Sequence, residues 1–361
     1  MNPNFWKNKK VLITGHTGLK GSWLTIWLKI IGAEVTGYAL EPPTKLSLYK
    51  LANVGHGITS IIGNIRDLEN VKSLVLNHSP EIVIHLAARS LSDYSINNPI
   101  DTMMTNTMGT ANLLEAVRHS RCTKVVVFIT SDKCYASSPN EEFWGYREDA
   151  PLGGMDPYSC SKAGAEMVVS AYRNSYFMAN SSSTRKVALA TSRVGNVIGG
   201  GDWTSNRLLP DLVKAFMSNE KALVRNPTSV RPWQHVLEPL NGCLILAEKL
   251  WKNGDNPSFS QPWNFGPGED EVKPVSWIAD RMANLWGNGA RWEEVASGSA
   301  MAKGCLRLTS SKAKFGLGWN TKLTLPNTLE WIVEWYKEYQ KNKDVGDITR
   351  KQIVKFQSIS Q

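Results

Sequence analysis

Short apolar runs alternate with longer stretches of helical period through the first half of the chain. Lys10–Thr14, Glu34–Ala39, Ile58–Ile62, Ile82–Leu86 and Val125–Thr130 are rich in Val and Ile, the pattern of buried strands. Between them, Ser22–Ile31, Leu68–Asn77, Asp101–Arg118 and Ser159–Tyr176 repeat apolar residues at three- and four-residue intervals and predict amphipathic helices. Val187–Arg193 reads as a sixth strand. Strand–helix alternation on this scale predicts an α/β fold, a Rossmann-like doubly wound parallel sheet. After Gly199-Gly200-Gly201 the rhythm breaks, and turn-rich segments with Trp203, Pro210, Pro227, Pro232, Trp233 and Pro239 alternate with short helices. The expected organisation is a large domain over residues 1–196 and a smaller α/β cap, mainly 197–340, interleaved with the first. A polar tail over 341–361 is expected to be loosely ordered.

Composition narrows the classes. With 361 residues, 42% hydrophobic and 20% charged, the chain can bury one large core and a smaller second one. No apolar run is long enough for a membrane span, and the first ten residues lack the apolar stretch of a secretory signal. The net charge of +9 sits partly at the ends, in Lys7, Lys9, Lys10 and again in Lys341, Lys343, Arg350, Lys351 and Lys355. No aromatic-interleaved basic repeat accompanies it, so a nucleic-acid partner is not expected. The five cysteines are scattered, with no C-x-x-C pair; this argues against a disulfide framework or a structural metal site and suits a reducing cytoplasm.

The most specific local signal follows the first strand. Gly15-His16-Thr17-Gly18-Leu19-Lys20-Gly21 places three glycines between a Val-Leu-Ile strand and an amphipathic helix. Glycines there allow a tight turn and let backbone amides approach a pyrophosphate, with the helix start adding a favourable dipole. The end of the second strand, Gly37-Tyr38-Ala39-Leu40-Glu41, carries no clear acid for an adenosine ribose, and no arginine follows for a 2′-phosphate. That feature alone leaves NAD and NADP both open.

Chemistry gathers at two further places. Tyr158-Ser159-Cys160-Ser161-Lys162 sets a phenol and an ammonium four residues apart on one helix face, where the cation favours a phenolate able to take a hydroxyl proton. Thr130-Ser131-Asp132-Lys133 puts hydroxyls, an acid and a base at a carboxyl strand tip, where doubly wound sheets carry their sites.

This combination resembles the nucleotide-sugar 4,6-dehydratases of the extended short-chain dehydrogenase/reductases, most closely those acting on CDP-glucose. The resemblance rests on Gly15–Trp23, Thr130–Tyr135, Trp144–Glu148, Asp156–Ser159, Gly195–Trp203, Arg225–Pro227, Arg231–Pro239 and Trp263–Pro267, spread over nearly the whole chain. It implies NAD held by Gly15, Thr17, Gly18, Leu19, Lys20, Gly21, Asn64, Ile65, Leu86, Ala87, Ala88, Asn106, Thr130, Tyr158 and Lys162. It further implies Tyr158 with Lys162 as the oxidising pair, Ser131 on the C4 oxygen, Asp132 as acid and Lys133 as base. For the nucleotide sugar it implies Arg89, Asn196, Arg207 and Arg231 as ligands. A homo-oligomer, dimer or tetramer, and a place in making deoxysugars for bacterial surface polysaccharide such as O-antigen are implied as well.

The chain departs from the family pattern at Arg89, at Asn64 and at Met301-Ala302, all expected near cofactor or substrate. Two other outcomes therefore stay open at this level: a 4-epimerase or dehydratase of a different nucleotide sugar, and a dinucleotide-binding relative with impaired turnover. The Asp132–Lys133 pair speaks against plain epimerisation, which expels no hydroxyl.

Overall fold

Alternate residues of the apolar runs face opposite sides of one sheet. Val11 and Ile13 lie with Trp23 and Trp27 in the larger core cluster, while Leu12 between them lies with Val71 and Leu113 in a second cluster on the other face. A strand buried on both faces is a parallel-sheet strand, and covering both faces takes helices on both. The computed structural model describes residues 1–138, 144–177, 186–254, 256–295 and 307–359. In it the six expected strands are β1 (Lys10–Thr14), β2 (Glu34–Ala39), β3 (Thr59–Ile62), β4 (Ile82–His85), β5 (Val125–Ile129) and β6 (Ala188–Val194). With Pro262–Phe265 beside β6 they form a sheet in the order Pro262–Phe265, β6, β5, β4, β1, β2, β3, every pairing parallel. The order reverses between β1 and β4, which opens a crevice at the carboxyl ends of the strands.

The helices that matter for that crevice are α1 (Leu19–Ile30), α2 (Leu68–His78), α3 (Ser92–Asn97), α4 (Pro99–Met103), α5 (Gly109–His119) and α6 (Pro157–Tyr172). The helix expected over Asp101–Arg118 is α4 and α5 joined through a π-helical turn, Met104–Met108. Asp156 starts α6: its side chain accepts from the Ser159 backbone at 3.1 Å and from the Ser159 hydroxyl at 2.6 Å, with Pro157 in the first turn.

The second half adds a three-stranded sheet of Val272–Pro274, Val230–His235 and Asn196–Ile198, and a two-stranded one of Trp292–Val295 and Ala222–Arg225. No described helix is long and apolar enough to cross a membrane. One expectation is corrected. The tail is a helix, Val345–Ser358, not a loose segment: Ile353 and Phe356 are fully buried, and Phe356 meets the Trp27 ring of α1 edge-on at 5.6 Å. Gln352 and Thr349 also bond the Leu325–Gln340 helix, at Trp331 O and Trp335 Nε1.

Candidate active site

The glycine loop is built to the tolerance of a backbone without side chains. Gly15 has φ +81°, and a Cβ on it would lie 2.7 Å from Ala87 N. A Cβ on Gly21 would lie 2.1 Å from Gly15 O. Only Gly18, which caps α1 without a side-chain hydrogen bond, leaves room: the nearest atom to its Cβ would be Gly15 O at 3.5 Å. The loop is tied down by Gly15 N to Tyr38 O at 2.8 Å and by the Thr17 hydroxyl to Leu40 O at 2.8 Å. His16 sits under it, bonded to Ser60 Oγ at 2.8 Å; burial lowers its pKa to about 4, so it is neutral.

The expected groove residues from β3 and β4 lie at the same end of the sheet. Leu86 and Ala87 abut Gly15, and their amides bond Thr14, whose Oγ1 is 2.7 Å from His85 Nδ1. Asn64 turns its side chain back on the chain, accepting from Arg66 N at 3.1 Å, and its carbonyl accepts from the Tyr38 hydroxyl. Ile65 is buried against Gly109. Leu19 packs on the larger core.

Two expected ligands have their polar atoms already committed. Asn106 accepts from Arg89 N at 2.7 Å and donates to Arg89 O at 3.0 Å and to Ser161 Oγ at 2.8 Å, so it pins the loop carrying Ala88 and Arg89 to α6. The Thr130 hydroxyl donates to the buried Glu166 carboxylate. Arg89 itself is paired with Asp101, Nε to Oδ2 at 2.7 Å.

The catalytic candidates converge. Ser131 Oγ donates to Asp132 Oδ1 at 2.9 Å and accepts from Lys133 N at 3.2 Å. Lys133 Nζ reaches Ser92 Oγ at 3.0 Å and lies 5.7 Å from the centre of the Tyr158 ring. Burial raises the Asp132 carboxyl above the usual range, against the Ser131 hydrogen bond and the charges of Lys133 and Lys20.

Burial also raises the Tyr158 phenol, to about 12, opposed by a hydrogen bond with Ser131 and by the charge of Arg207. Lys162, on the same face of α6, is pushed down to about 7 by burial and then by Lys20, while Glu166 works the other way. Lys20 is lowered to about 8, first by burial and then by Arg207, with Asp132 opposing. The half-buried Lys20 and the buried Lys162, whose charge Lys20 disfavours, form an environment that favours an incoming anion.

The small sheet reaches the same place. A Cβ on Gly195 would stand 3.4 Å from Asp132 Oδ2 and 3.9 Å from Pro232 Cγ, so the residue before Asn196 lies beside the acid and also beside Pro232, the residue after Arg231. In the ladder Asn196 is opposite Trp233, and Arg231 donates to Val230 O. Arg207 bridges the halves of the molecule through Asp202 and Ser90 Oγ, each at 3.4 Å. Met301-Ala302 lies outside the described residues.

Sequence reasoning missed the layer beneath. Glu166 accepts from Thr191 Oγ1 at 2.9 Å and from Arg193 Nη2 at 2.8 Å, and Arg193 goes on to the Tyr135 hydroxyl at 2.9 Å, which donates to Asn264 Oδ1 at 2.6 Å. This buried network locks α6 to β5, β6 and the seventh strand. Its signal was present: Tyr158, Lys162 and Glu166 are spaced by four, which places three polar residues on one face of the helix, and that face is buried.

The profile of the family described as GDP-mannose 4,6 dehydratase matches residues 12–248. A CDP-glucose 4,6-dehydratase of Salmonella typhimurium is 45% identical over 358 residues, 99% of each chain. Among solved structures, a dTDP-glucose 4,6-dehydratase of Streptomyces venezuelae with NAD bound superposes with TM-score 0.75 at 21% identity, covering 93% of this chain and 99% of that one. A UDP-glucose 4-epimerase of Thermus thermophilus in complex with NAD gives TM-score 0.75 at 22% identity, over 91% and 98%. The last two are alike in fold; the family match and the end-to-end relative go further, and on them this chain belongs to the nucleotide-sugar 4,6-dehydratases.

Proposed function

We propose that the chain converts CDP-glucose to its 4-keto-6-deoxy product, using NAD held along the Gly15–Gly21 loop. The observation that carries the reading is Asp132: a buried carboxyl with a raised pKa, hydrogen-bonded to Ser131 and beside Lys133 and Tyr158, is what expelling a hydroxyl requires and epimerisation does not. The fit to a dinucleotide rests on the open space at Gly18, the unfilled amides at the start of α1, and the depressed Lys20 and Lys162.

NAD, when bound there, would supply the acceptor for the hydrogen that leaves C4 and the source of the hydrogen that arrives at C6. The protein does the rest. Tyr158 takes the C4 hydroxyl proton, with Ser131 bonding the oxygen as it becomes a carbonyl. The ketone acidifies C5, whose proton passes to the Lys133 amine. Asp132 protonates the departing C6 hydroxyl, which leaves as water; Lys133 returns its proton to C5 as the hydrogen reaches C6, and the proton taken by Tyr158 restores Asp132. Arg207, Arg231 and Asn196 hold the diphosphate, a role suited to guanidinium forks.

A homo-oligomer belongs to the same proposal, supported by the exposed row Ile96, Ile100, Met104 and Met108, spaced by four, which offers a second copy an apolar face. So does a cytoplasmic place in deoxysugar synthesis for surface polysaccharide, supported by the unpaired Cys122, Cys134, Cys160 and Cys243. The test of substrate is a panel of CDP-, dTDP-, UDP- and GDP-activated sugars, read by the alkali-induced absorbance of a 4-keto sugar. A signal confined to another nucleotide overturns the assignment to CDP.

A further inference from the structure

We propose that Asp101 is a positioning residue for the cofactor groove, a clasp that ties the loop after β3 to the loop after β4 and slows release of the dinucleotide. This rests on the reading of the Gly15–Gly21 loop as an NAD site. The two loops have no ladder in common, because β1 and β2 stand between β3 and β4 in the sheet. Asp101, on α4, joins them with one carboxylate. Its Oδ1 accepts from Arg66 Nη1 at 2.7 Å, and its Oδ2 accepts from Arg89 Nε at 2.7 Å and from the Tyr94 hydroxyl at 3.0 Å. The Arg89 guanidinium also lies over the Tyr94 ring, 5.1 Å from its centre.

Each arm of the clasp is fastened to residues that line the groove. On one side Arg66 follows Asn64 and Ile65, and Asn112 Nδ2 donates to both Ile65 O and Arg66 O. On the other, Arg89 follows Leu86, Ala87 and Ala88, whose backbone abuts Gly15. The Arg89 peptide is gripped on both its N–H and its C=O by Asn106, which passes to Ser161 and from there to Tyr158 O at 2.7 Å. Movement of either loop is therefore resisted by an ionic bridge with short bonds at both ends.

The chemistry explains why such a bridge is ionic and near the surface. A reaction that returns its hydrogen within one turnover gains from keeping the dinucleotide in place, yet exchange must remain possible. Asp101, Arg66 and Arg89 are between a fifth and two fifths exposed, so the bridge can open without breaking the core. Partial burial works against ionisation of Asp101, but its bonds to Arg89 and Tyr94 and the charge of Arg66 outweigh it and keep the carboxylate charged. Partly exposed pairs of this kind add little to global stability and are weakened by salt. Retention and folding are thus separable.

The experiment measures NAD release from the full-length protein by displacement with a fluorescent NAD analogue, at low and high ionic strength. Wild type releases slowly and faster as salt rises. Asp101→Asn releases about three- to tenfold faster at low salt, with its rate insensitive to salt, and loses more in NAD affinity than in turnover at saturating NAD. Arg66→Gln gives a smaller change in the same direction and adds nothing on top of Asp101→Asn; it also carries the test should Asp101→Asn fold poorly. A release rate and salt dependence equal to wild type in both variants overturns the clasp. A wild-type protein that binds no NAD by calorimetry overturns the cofactor reading instead, so the two failures are distinct.

Discussion

Lys133 Nζ stands 5.7 Å from the centre of the Tyr158 ring and 3.0 Å from Ser92 Oγ, to which it donates. The group assigned to the C5 proton and the group assigned to the C4 hydroxyl therefore face one small volume, bounded by Ser131 and Asp132 on the strand side. Two adjacent carbons of one sugar can meet both without the sugar moving far. That proximity turns a list of polar residues into a sequence of steps.

Tyr158→Phe removes the proton acceptor and leaves the ring. Turnover falls by about 10²–10⁴, while substrate affinity, measured by calorimetry, stays within a few-fold. A variant that keeps most of its turnover would show that the phenol is not the base.

Asp132→Asn separates oxidation from elimination. The amide keeps size and hydrogen bonding but cannot give up a carboxylic proton. In D2O the variant loads deuterium at C5 of recovered substrate, because Lys133 still exchanges that proton, while 6-deoxy product falls by about 10²–10⁴. Mass spectrometry reads both. Normal product formation would mean another group expels the hydroxyl.

Gly18 and Gly21 divide cofactor space from folding space. Alanine at Gly18 has room in the fold, with Gly15 O at 3.5 Å its nearest neighbour. Gly18→Ala keeps its melting temperature yet loses about tenfold in NAD affinity, roughly 1.4 kcal/mol. Gly21→Ala drives a methyl to 2.1 Å from Gly15 O, a backbone clash that costs about 1–3 kcal/mol of stability. Equal effects on folding would contradict the assignment of that space.

Lys162 makes the site expensive to fold. Burial, then the charge of Lys20, brings its pKa from 10.5 to about 7, with Glu166 opposing. Between those values the unfolded chain holds a proton that the folded protein lacks, so stability from this group rises with pH across that window and its cost is full below about 7. Lys162→Met is therefore inactive but melts higher than wild type at pH 7, and the gap narrows as pH climbs toward 10.5. A gap independent of pH would show that the lysine is not held near neutrality.

The sheet was legible because strands such as Ile82–His85 and Val125–Ile129 are runs of Val and Ile bounded by polar segments; Lys10–Thr14 and Glu34–Ala39 appear with the bounds expected. The tail was misread from its mean polarity. Val345, Thr349, Gln352, Ile353 and Phe356 recur at helical spacing, and that stripe is the buried face against Trp27 and Trp335. In the site, Ser131, Asp132 and Tyr158 could be read because motif and strand tip coincide. The protein partners of Arg89, Asn106 and Thr130 could not, since Asp101, Ser161 and Glu166 meet them only after the chain folds.

The central claim is that one hydrogen leaves C4 and returns at C6 within a single active site. CDP-glucose deuterated at C4, incubated with the NAD-loaded protein and analysed by NMR and mass spectrometry, tests it directly. The account predicts a 4-keto-6-deoxy sugar carrying the deuterium in its C6 methyl group. Deuterium retained at C4 of an inverted sugar, or a 6-deoxy product without the label, would contradict it.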